Sequence, residues 1–468
     1  MTDPTVNQLQ EWLKEREDEL LADFQTLLRF PSIEDEAAPN APFGQANRDA
    51  LDFMLEKSKE TGMSAVDIEG YCGYAEFGEG EKMVMSLGHL DVVPVSDDWK
   101  HEPFGAEIED GYVYARGTVD DKGPTIASFF AMRAIQACCP DLGVRMRSVF
   151  GCNEESGFEC VKRYMETEEP PTLGVAPDSA WPCVHAEKGI ANLVIHAPRP
   201  QGDVELVAIE GGSRPNIVID KCTAKVRVSA AARAHVDSKI ADKWDENVTV
   251  SWDGDILTVN AVGKAAHGSI PYFGDSAAIR ALRFLAEISP LPDQADFVEL
   301  FKIPSTQGEG IGIEGADEVS GALSANLGVI GLDDDSVSFL INVRYPVVWD
   351  GEEMKARCEE KMTSLGEGFK IAEFTDSPSL FFPEDHELVK TISAAYEAEM
   401  GETKAPGVIG GGTYARAIPN TVSIGTGWAG DGDAHENDER LKIEHLFKMS
   451  RIYAHILYKL ALVARDSG

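Results

Sequence analysis

Apolar and polar residues follow three textures along the chain. The opening segment, MTDPTVNQLQEWLKEREDELLADF, spaces apolar side chains three and four apart among charges, the pattern of an amphipathic helix. MVMSLGHL (83–90) is a short apolar run, as expected of a strand buried on both faces. Pro124 then opens TIASFFAMRAIQACC, a helical stretch with proline in its first turn. VRMRSVFGC (144–152) reads as another strand and TLGVAPD (172–178) as a shorter one. This succession predicts a mostly parallel sheet with helices on its faces.

Beyond about residue 187 the pattern changes. ANLVIHA, IVIDKCTAKVRVSA, VTVSWDGDILTVNAVG and SVSFLINVRYPV alternate apolar with polar residues, the mark of antiparallel strands with one solvated face. Helical patterns lie between them at SAAIRALRFLAEI (276–288) and EEMKARCEEKMTSL (352–365). The first texture returns with HELVKTISAAYEAEM, the strand TVSIGTG (421–427) and a final helix from about 439. The chain therefore reads as an α/β domain in two parts, 1–187 and 380–468, interrupted by an inserted α+β domain, 188–379.

Composition narrows the function. The chain has 468 residues with ordinary globular proportions, enough for two or three domains with cores of their own. Its 80 Asp+Glu against 42 Lys+Arg give a net charge of −38, a field that repels a phosphate backbone and argues against nucleic acid as a partner. The eight cysteines form no C-x-x-C pair, which reads as reduced thiols of a cytoplasmic protein. With no signal-peptide core and no run of about 18 apolar residues, no membrane partner is expected.

Candidate chemistry collects where the strands of the parallel sheet end, the rim on which open α/β sheets bind ligands. The first strand ends in His89-Leu90-Asp91, the second in Asn153-Glu154-Glu155, the third in Asp178. The strand at 421–427 leads to Asp431, Asp433 and His435, and Asp120-Asp121 stands directly before a helix. Two histidines and several carboxylates on one rim suit divalent ions of borderline hardness. One ion could take His89 and Asp178, another Glu155 and His435, with Asp120 spanning the two at the roughly 3.5–4 Å typical of paired metals. Asp91 suits a carboxylate that orients His89, and Glu154 a general base beside the ligand Glu155.

Each motif alone has a plainer reading: H-x-D and E-E pairs are usually solvated loops, and Pro-Asp usually starts a turn. Their placement on successive strand ends favours the metal centre. His101, His185, His196, His235, His386, His445 and His455 read as surface, packing or capping residues, and the pattern around His267 is ambiguous. GIGIEG (310–315) and GTGWAG (425–430) match a dinucleotide-binding spacing, but neither opens directly into a helix. Gly410-Gly411-Gly412 lacks the lysine of a phosphate loop and reads as a turn or a backbone cradle for a small anion. No G-x-S-x-G occurs. Cys152 lies among acids that disfavour a thiolate.

SLGHLDVVP, ARGTVDDKGP, GCNEESG, APDSAWP and DAHENDE, in this order and spacing, resemble the two-zinc peptidase family of aminoacylase, carnosinase, succinyl-diaminopimelate desuccinylase and glutamate carboxypeptidase. LLRFPSI, GKAAHGS and GGGTYAR followed by PN bring the likeness nearest to its bacterial dipeptidases. The resemblance implies a zinc-peptidase catalytic domain with a ferredoxin-like, two-lobed lid. It implies His89, Asp120, Glu155, Asp178 and His435 as metal ligands, Asp120 bridging, and a cis peptide between Asp120 and Asp121. It implies Asp91 as the orienting group and Glu154 as the base and later proton donor. His267 would stabilise the oxyanion, and Asn216 and Arg344 would hold substrate, Arg344 by its carboxylate, with Thr413 and Tyr414 nearby.

The function expected is metal-dependent hydrolysis of dipeptides with two divalent ions, zinc first and manganese or cobalt as alternatives. The enzyme is expected to be a cytoplasmic monomer with no obligate protein partner. An N-acyl amino acid deacylase or desuccinylase would use the same site, and a non-catalytic metal-dependent binding protein would leave Glu154 without a task.

Overall fold

The computed structural model describes residues 3–242, 245–333 and 335–467; Met1 and Thr2, at the head of the segment read as a helix, lie outside the described residues. Two compact units emerge. One comprises Met1–His185, Phe382–Gly407 and Gly412–Gly468; the other comprises Ala186–Phe381 and Val408–Gly411. The short return at 408–411 was not expected. Hydrogen bonds account for it: Lys188 N–H donates to Ile409 O at 3.0 Å, and the Arg344 guanidinium donates to Gly410 O at 2.7 Å.

In the first unit, strands run in the spatial order Ser64–Ile68, Cys72–Phe77, Arg145–Gly151, Met83–His89, Leu173–Ser179, Thr421–Gly425 and Cys183–Glu187. The pairings among Arg145–Gly151, Met83–His89, Leu173–Ser179 and Thr421–Gly425 are parallel, and the flanking ones antiparallel. Every residue of Met83–His89 is buried, Ser86 and His89 included, as its largely apolar run requires of a central strand. The helices Lys122–Cys138 and Ile443–Asp466 pack against each other and against this strand. Ile443–Asp466 buries Leu446, Met449, Ile452, Tyr453, Ile456, Leu457, Leu460 and Ala464, an apolar stripe at helical spacing.

Two helix boundaries differ from the sequence reading. The N-terminal segment forms two helices, Pro4–Lys14 and Glu17–Leu28, because the charged run 14–19 carries no apolar side chain to continue a buried stripe. The final helix begins at Ile443 instead of about 439, since Arg440–Lys442 is a strand paired with Tyr112–Tyr114.

The second unit is one antiparallel sheet of eight strands. Val248–Asp253, Ile256–Val262, Lys221–Val228 and Val204–Gly211 make one half; Ser324–Asp333, Ser336–Tyr345, Gly189–Pro198 and Lys370–Ser377 make the other. The halves meet through the single registered pair Gly211↔Ile330. Lys221–Val228 alternates exposed and buried residues along its whole length, as its sequence requires. The helices Ala277–Ile288 and Gly351–Leu365 bury Leu282, Leu285, Met354 and Met362 into one core shared by both halves, with Leu193, Val226, Val259 and Phe339.

The end of strand Met83–His89 meets the start of helix Lys122–Cys138 at unusually short range. A Cβ on Gly88 would lie 2.0 Å from Thr125 Oγ1, so only glycine permits this packing. Gly88→Ala is therefore expected to destabilise the protein by about 1–3 kcal/mol, the usual cost of overpacking. Denaturant unfolding checks this, and an unchanged midpoint would contradict the tight contact.

Candidate metal centre

The parallel strands deliver their ends to one place. His89 ends the strand Met83–His89, Glu154 and Glu155 follow Arg145–Gly151, and Asp178 lies near the end of Leu173–Ser179. Asp120 precedes the helix Lys122–Cys138, whose N-terminal dipole favours negative charge. The Asp120–Asp121 peptide is cis. His435, in a left-handed conformation (φ 66°), comes from the loop before Arg440–Lys442.

Asp120 lies at the centre. Its Oδ1 is 3.0 Å from His89 Nε2, and its Oδ2 is 3.0 Å from His435 Nε2. His435 Nε2 is also 3.1 Å from Glu155 Oε1. One carboxylate thus presents each of its oxygens to a different imidazole.

His89 is fully buried. Its Nδ1 lies 3.0 Å from the backbone carbonyl of Asp91 and 3.5 Å from the Asp91 carboxylate. Nδ1 therefore serves as donor to the carbonyl, which turns Nε2 toward Asp120. The Asp91 carboxylate accepts instead from Glu155 N–H at 3.0 Å. Asp91 thus orients two neighbours: one through its backbone, the other through its side chain. Asp121 accepts from His89 N–H at 3.1 Å and Thr125 Oγ1 at 2.9 Å, fastening the strand end to the helix start.

Burial of so many acids together shifts their proton affinities. The Asp178 carboxyl is held well above the usual carboxylate range, first by burial and then by Asp120, Glu154 and Asp121. Burial also raises Glu154, with Glu155, Asp120 and Asp91 adding to the shift and His89 opposing it. His435 is pushed up to about 10 by its hydrogen bonds to Asp120 and Glu155.

This donor set fits divalent cations. It combines two imidazole nitrogens with carboxylate oxygens, leaves the buried Asp91 Oδ1 and Asp121 Oδ1 without hydrogen bonds, and concentrates negative charge where water cannot dilute it. Among the described residues, His89, Asp120 and Glu155 form the group whose ligand atoms converge closely enough to hold one ion. Asp178 is close enough for the charges of Asp120 and Glu154 to raise its own carboxyl. A cavity of about 740 Å³ opens alongside Asp120 and Asp178, walled by Trp181, Trp428, Lys404 and Asp433.

Other expected residues fall differently. Thr413 is buried, lies against the Ser423 hydroxyl and accepts from Ala415 N–H at 3.2 Å, so it caps a short helical turn. Tyr414 is completely buried, with its ring edge-on to His89 and its hydroxyl 2.8 Å from Cys160 Sγ. A Cβ on Gly151 would lie 2.3 Å from that hydroxyl. Both side chains shape the floor beneath the site. Cys152 is buried and its thiol is raised well above the ordinary value, first by burial, so it offers no thiolate nucleophile. Asp431 is likewise structural: it accepts from Trp428 N–H at 2.8 Å and Lys442 N–H at 2.9 Å, and it lies 2.8 Å from His445 Nδ1.

In the second unit the expected residues gather in a group of their own. Ile217 and His267 form a β-bridge, and Gly268 N–H donates to Asn216 O at 2.7 Å. Ser269 N–H donates to His267 Nδ1 at 3.2 Å, which leaves the proton of a neutral imidazole on Nε2. Burial lowers the His267 pKa first, and the nearby Arg344 charge lowers it further. Arg344 donates to Asn342 Oδ1 at 3.0 Å and to Gly410 O at 2.7 Å.

Sequence reasoning missed Arg116 and Glu439. These two buried residues, 2.8 Å apart, join the Asp120 loop to the His435 loop. The only signal was a glutamate four residues beyond His435 in an acidic run.

Comparison with known proteins agrees with this geometry. Residues 85–459 match peptidase family M20/M25/M40. "Putative dipeptidase YtjP" of Bacillus subtilis is 34% identical over 465 residues, covering 96% of this chain and 99% of its own length. A "Putative dipeptidase" of Staphylococcus epidermidis is 34% identical over 463 residues, covering 96% and 98%. Among solved structures, the aminoacylhistidine dipeptidase of Vibrio alginolyticus superposes with a TM-score of 0.59 at 16% identity, covering 94% of this chain and 96% of its own. Human carnosine dipeptidase 1 does so with 0.55 at 15%, covering 98% and 100%. These two likenesses speak for the fold.

The raised pKa of Asp178 carries a signed prediction. Its charge costs stability above its unfolded-state pKa, and the cost fades as pH falls toward that value. With ions stripped by a chelator, Asp178→Asn is expected to raise the Tm by a few degrees at pH 8 and by less at pH 5. Added Zn2+ is expected to stabilise the wild type more than the variant. Equal Tm values at pH 8 in chelator would contradict the crowding of acids.

Proposed function

The chain belongs to peptidase family M20/M25/M40, and from that premise we propose that it hydrolyses dipeptides at a centre of two divalent ions, zinc first, with Glu154 as general base. The observation that carries this reading is the Asp120 carboxylate, with each oxygen 3.0 Å from a different histidine Nε2 and Glu154 close by. His89 and Asp178 would hold one ion, Glu155 and His435 the other, with Asp120 common to both. Bound there, such ions supply a water of lowered pKa and a Lewis acid for the scissile carbonyl.

The chain's own residues do the rest. The Glu154 carboxylate takes the proton of the attacking water and returns it to the leaving amine, a task favoured by a carboxyl whose proton affinity is raised toward neutrality. His267, neutral with its proton on Nε2, is suited to donate to the developing oxyanion. Asn342 and Gly410 fix the plane of the Arg344 guanidinium, which we assign to the terminal carboxylate of the dipeptide. Asn216, tied by its backbone to the His267 turn, belongs to the same substrate-holding group. We place the enzyme in the cytoplasm as a monomer; its eight free cysteines suit a reducing compartment.

The test joins metal content to turnover. The purified protein is expected to hold two ions per chain, to lose dipeptide hydrolysis on chelation and to regain it with Zn2+, Mn2+ or Co2+. Glu154→Gln is expected to keep both ions and lose about 10²–10⁴-fold in kcat, the usual span for a general base. Hydrolysis indifferent to chelation would refute the metal mechanism, and faster cleavage of an N-acetylated amino acid than of a free dipeptide would make the enzyme a deacylase.

His267→Ala is expected to lower kcat about 10²–10³-fold. Arg344→Met is expected to raise KM for a dipeptide while leaving its C-terminal amide unaffected. Wild-type kcat in the first variant, or an equal loss on both substrates in the second, would remove these residues from the assigned roles.

A further inference from the structure

Arg116 and Glu439 are 2% and 1% exposed, and each reaches into the other's loop. Glu439 Oε1 accepts from Val119 N–H at 2.8 Å, Thr118 Oγ1 at 3.3 Å and Asp120 N–H at 3.4 Å. Its Oε2 accepts from Arg116 Nη1 at 2.8 Å and Gly117 N–H at 3.1 Å. Arg116 answers by donating to Glu436 O at 3.2 Å and His435 O at 3.3 Å. Its guanidinium also lies 5.1 Å from the Trp99 ring centroid. The residue that holds the Asp120 loop thus comes from the His435 loop, and the residue that holds the His435 loop comes from the Asp120 loop.

We propose that this Arg116–Glu439 clasp is the positioning device of the metal centre, setting the distance between Asp120 and His435 and with it the affinity for the ions they share. The inference rests on the two-ion reading. Both loops need such a device. Asp120 and its neighbours carry like charge, and His435 stands in a left-handed conformation that non-glycine residues adopt only when held. The chemistry of the clasp leaves little latitude. A carboxylate offers about four acceptor sites and no donor, and the loop presents five donor groups to it. In Glu439→Gln, one oxygen becomes an NH2 group facing at least two donors, so that side of the loop must move.

The experiment compares ion binding in the wild type, Glu439→Gln, Arg116→Lys and Glu168→Gln. The last removes the charge of a partly buried pair, Arg147–Glu168 at 2.8 Å, that touches none of the ligands. Each full-length protein is stripped with chelator, checked by circular dichroism and titrated with Zn2+ against a competing chelator. The wild type is expected to take two ions. Glu439→Gln and Arg116→Lys are expected to lose about 10–100-fold in affinity for at least one ion, as outer-shell variants do, and to recover kcat as Zn2+ is raised. Glu168→Gln is expected to lower the Tm and leave ion affinity unchanged.

Wild-type affinity in the two clasp variants would overturn the proposal while leaving the two-ion reading intact. Fewer than two ions in the wild type would remove that reading and the proposal together. An equal loss of affinity in Glu168→Gln, or failure of both clasp variants to fold in saturating Zn2+, would assign the pair to general stability and overturn the proposal as well.

Discussion

Holding carboxylates together is the constraint on which the catalytic unit depends. Asp91, Asp120, Asp121, Glu154, Glu155 and Asp178 crowd one end of a parallel sheet, several of them out of water, where like charges repel strongly. Each acid that is not aimed at the centre is occupied elsewhere: Asp91 on Glu155 N–H, Asp121 on His89 N–H and Thr125. The glycine that lets a helix start touch a strand end, the dipole of that helix and the buried Tyr414 beneath His89 all serve the same arrangement. Stability is given up locally so that cations can be held, and the sheet and its two packed helices supply the rigidity.

What could be read in advance depends on the range of the interactions involved. His89, Glu155 and Asp178 were visible because a buried parallel strand announces itself as an apolar run, and the residue after that run must stand at the rim. His435 was visible for the same reason at one remove. Arg116 and Glu439 were not, because their meaning lies in a contact between loops far apart in the chain, and a glutamate in an acidic stretch gives no hint of burial. The break in the N-terminal helix and the late start of the last one turn on what each segment packs or pairs with, which local propensity does not contain.

The second unit shows how local turns assemble a group of polar residues. The bridge between Ile217 and His267 ties the backbone of Asn216 to the turn that carries the imidazole, and one serine two residues on selects which ring nitrogen carries the proton. None of this appears in alternation patterns, which described the sheet well and said nothing of the loops between its strands. A family resemblance could point to His267, Asn216 and Arg344; only the structure gives burial and the Arg344 charge as the reasons that the imidazole holds its second proton weakly.

The seam at Gly211↔Ile330 has a consequence for the fate of the chain in a crowded solution. Two separate four-stranded sheets would expose four edges, each a row of unpaired N–H and C=O groups able to recruit a strand from another molecule. Joined through one registered pair, the eight strands follow one another in a single sheet whose outermost strands are Val248–Asp253 and Lys370–Ser377. Those edges carry Asp253, Lys370, Glu373 and Asp376, charges that discourage a further strand from adding. A contact that contributes little hydrogen bonding of its own thus closes one end of each inner strand, at Gly211 and Ile330, against the addition of another chain.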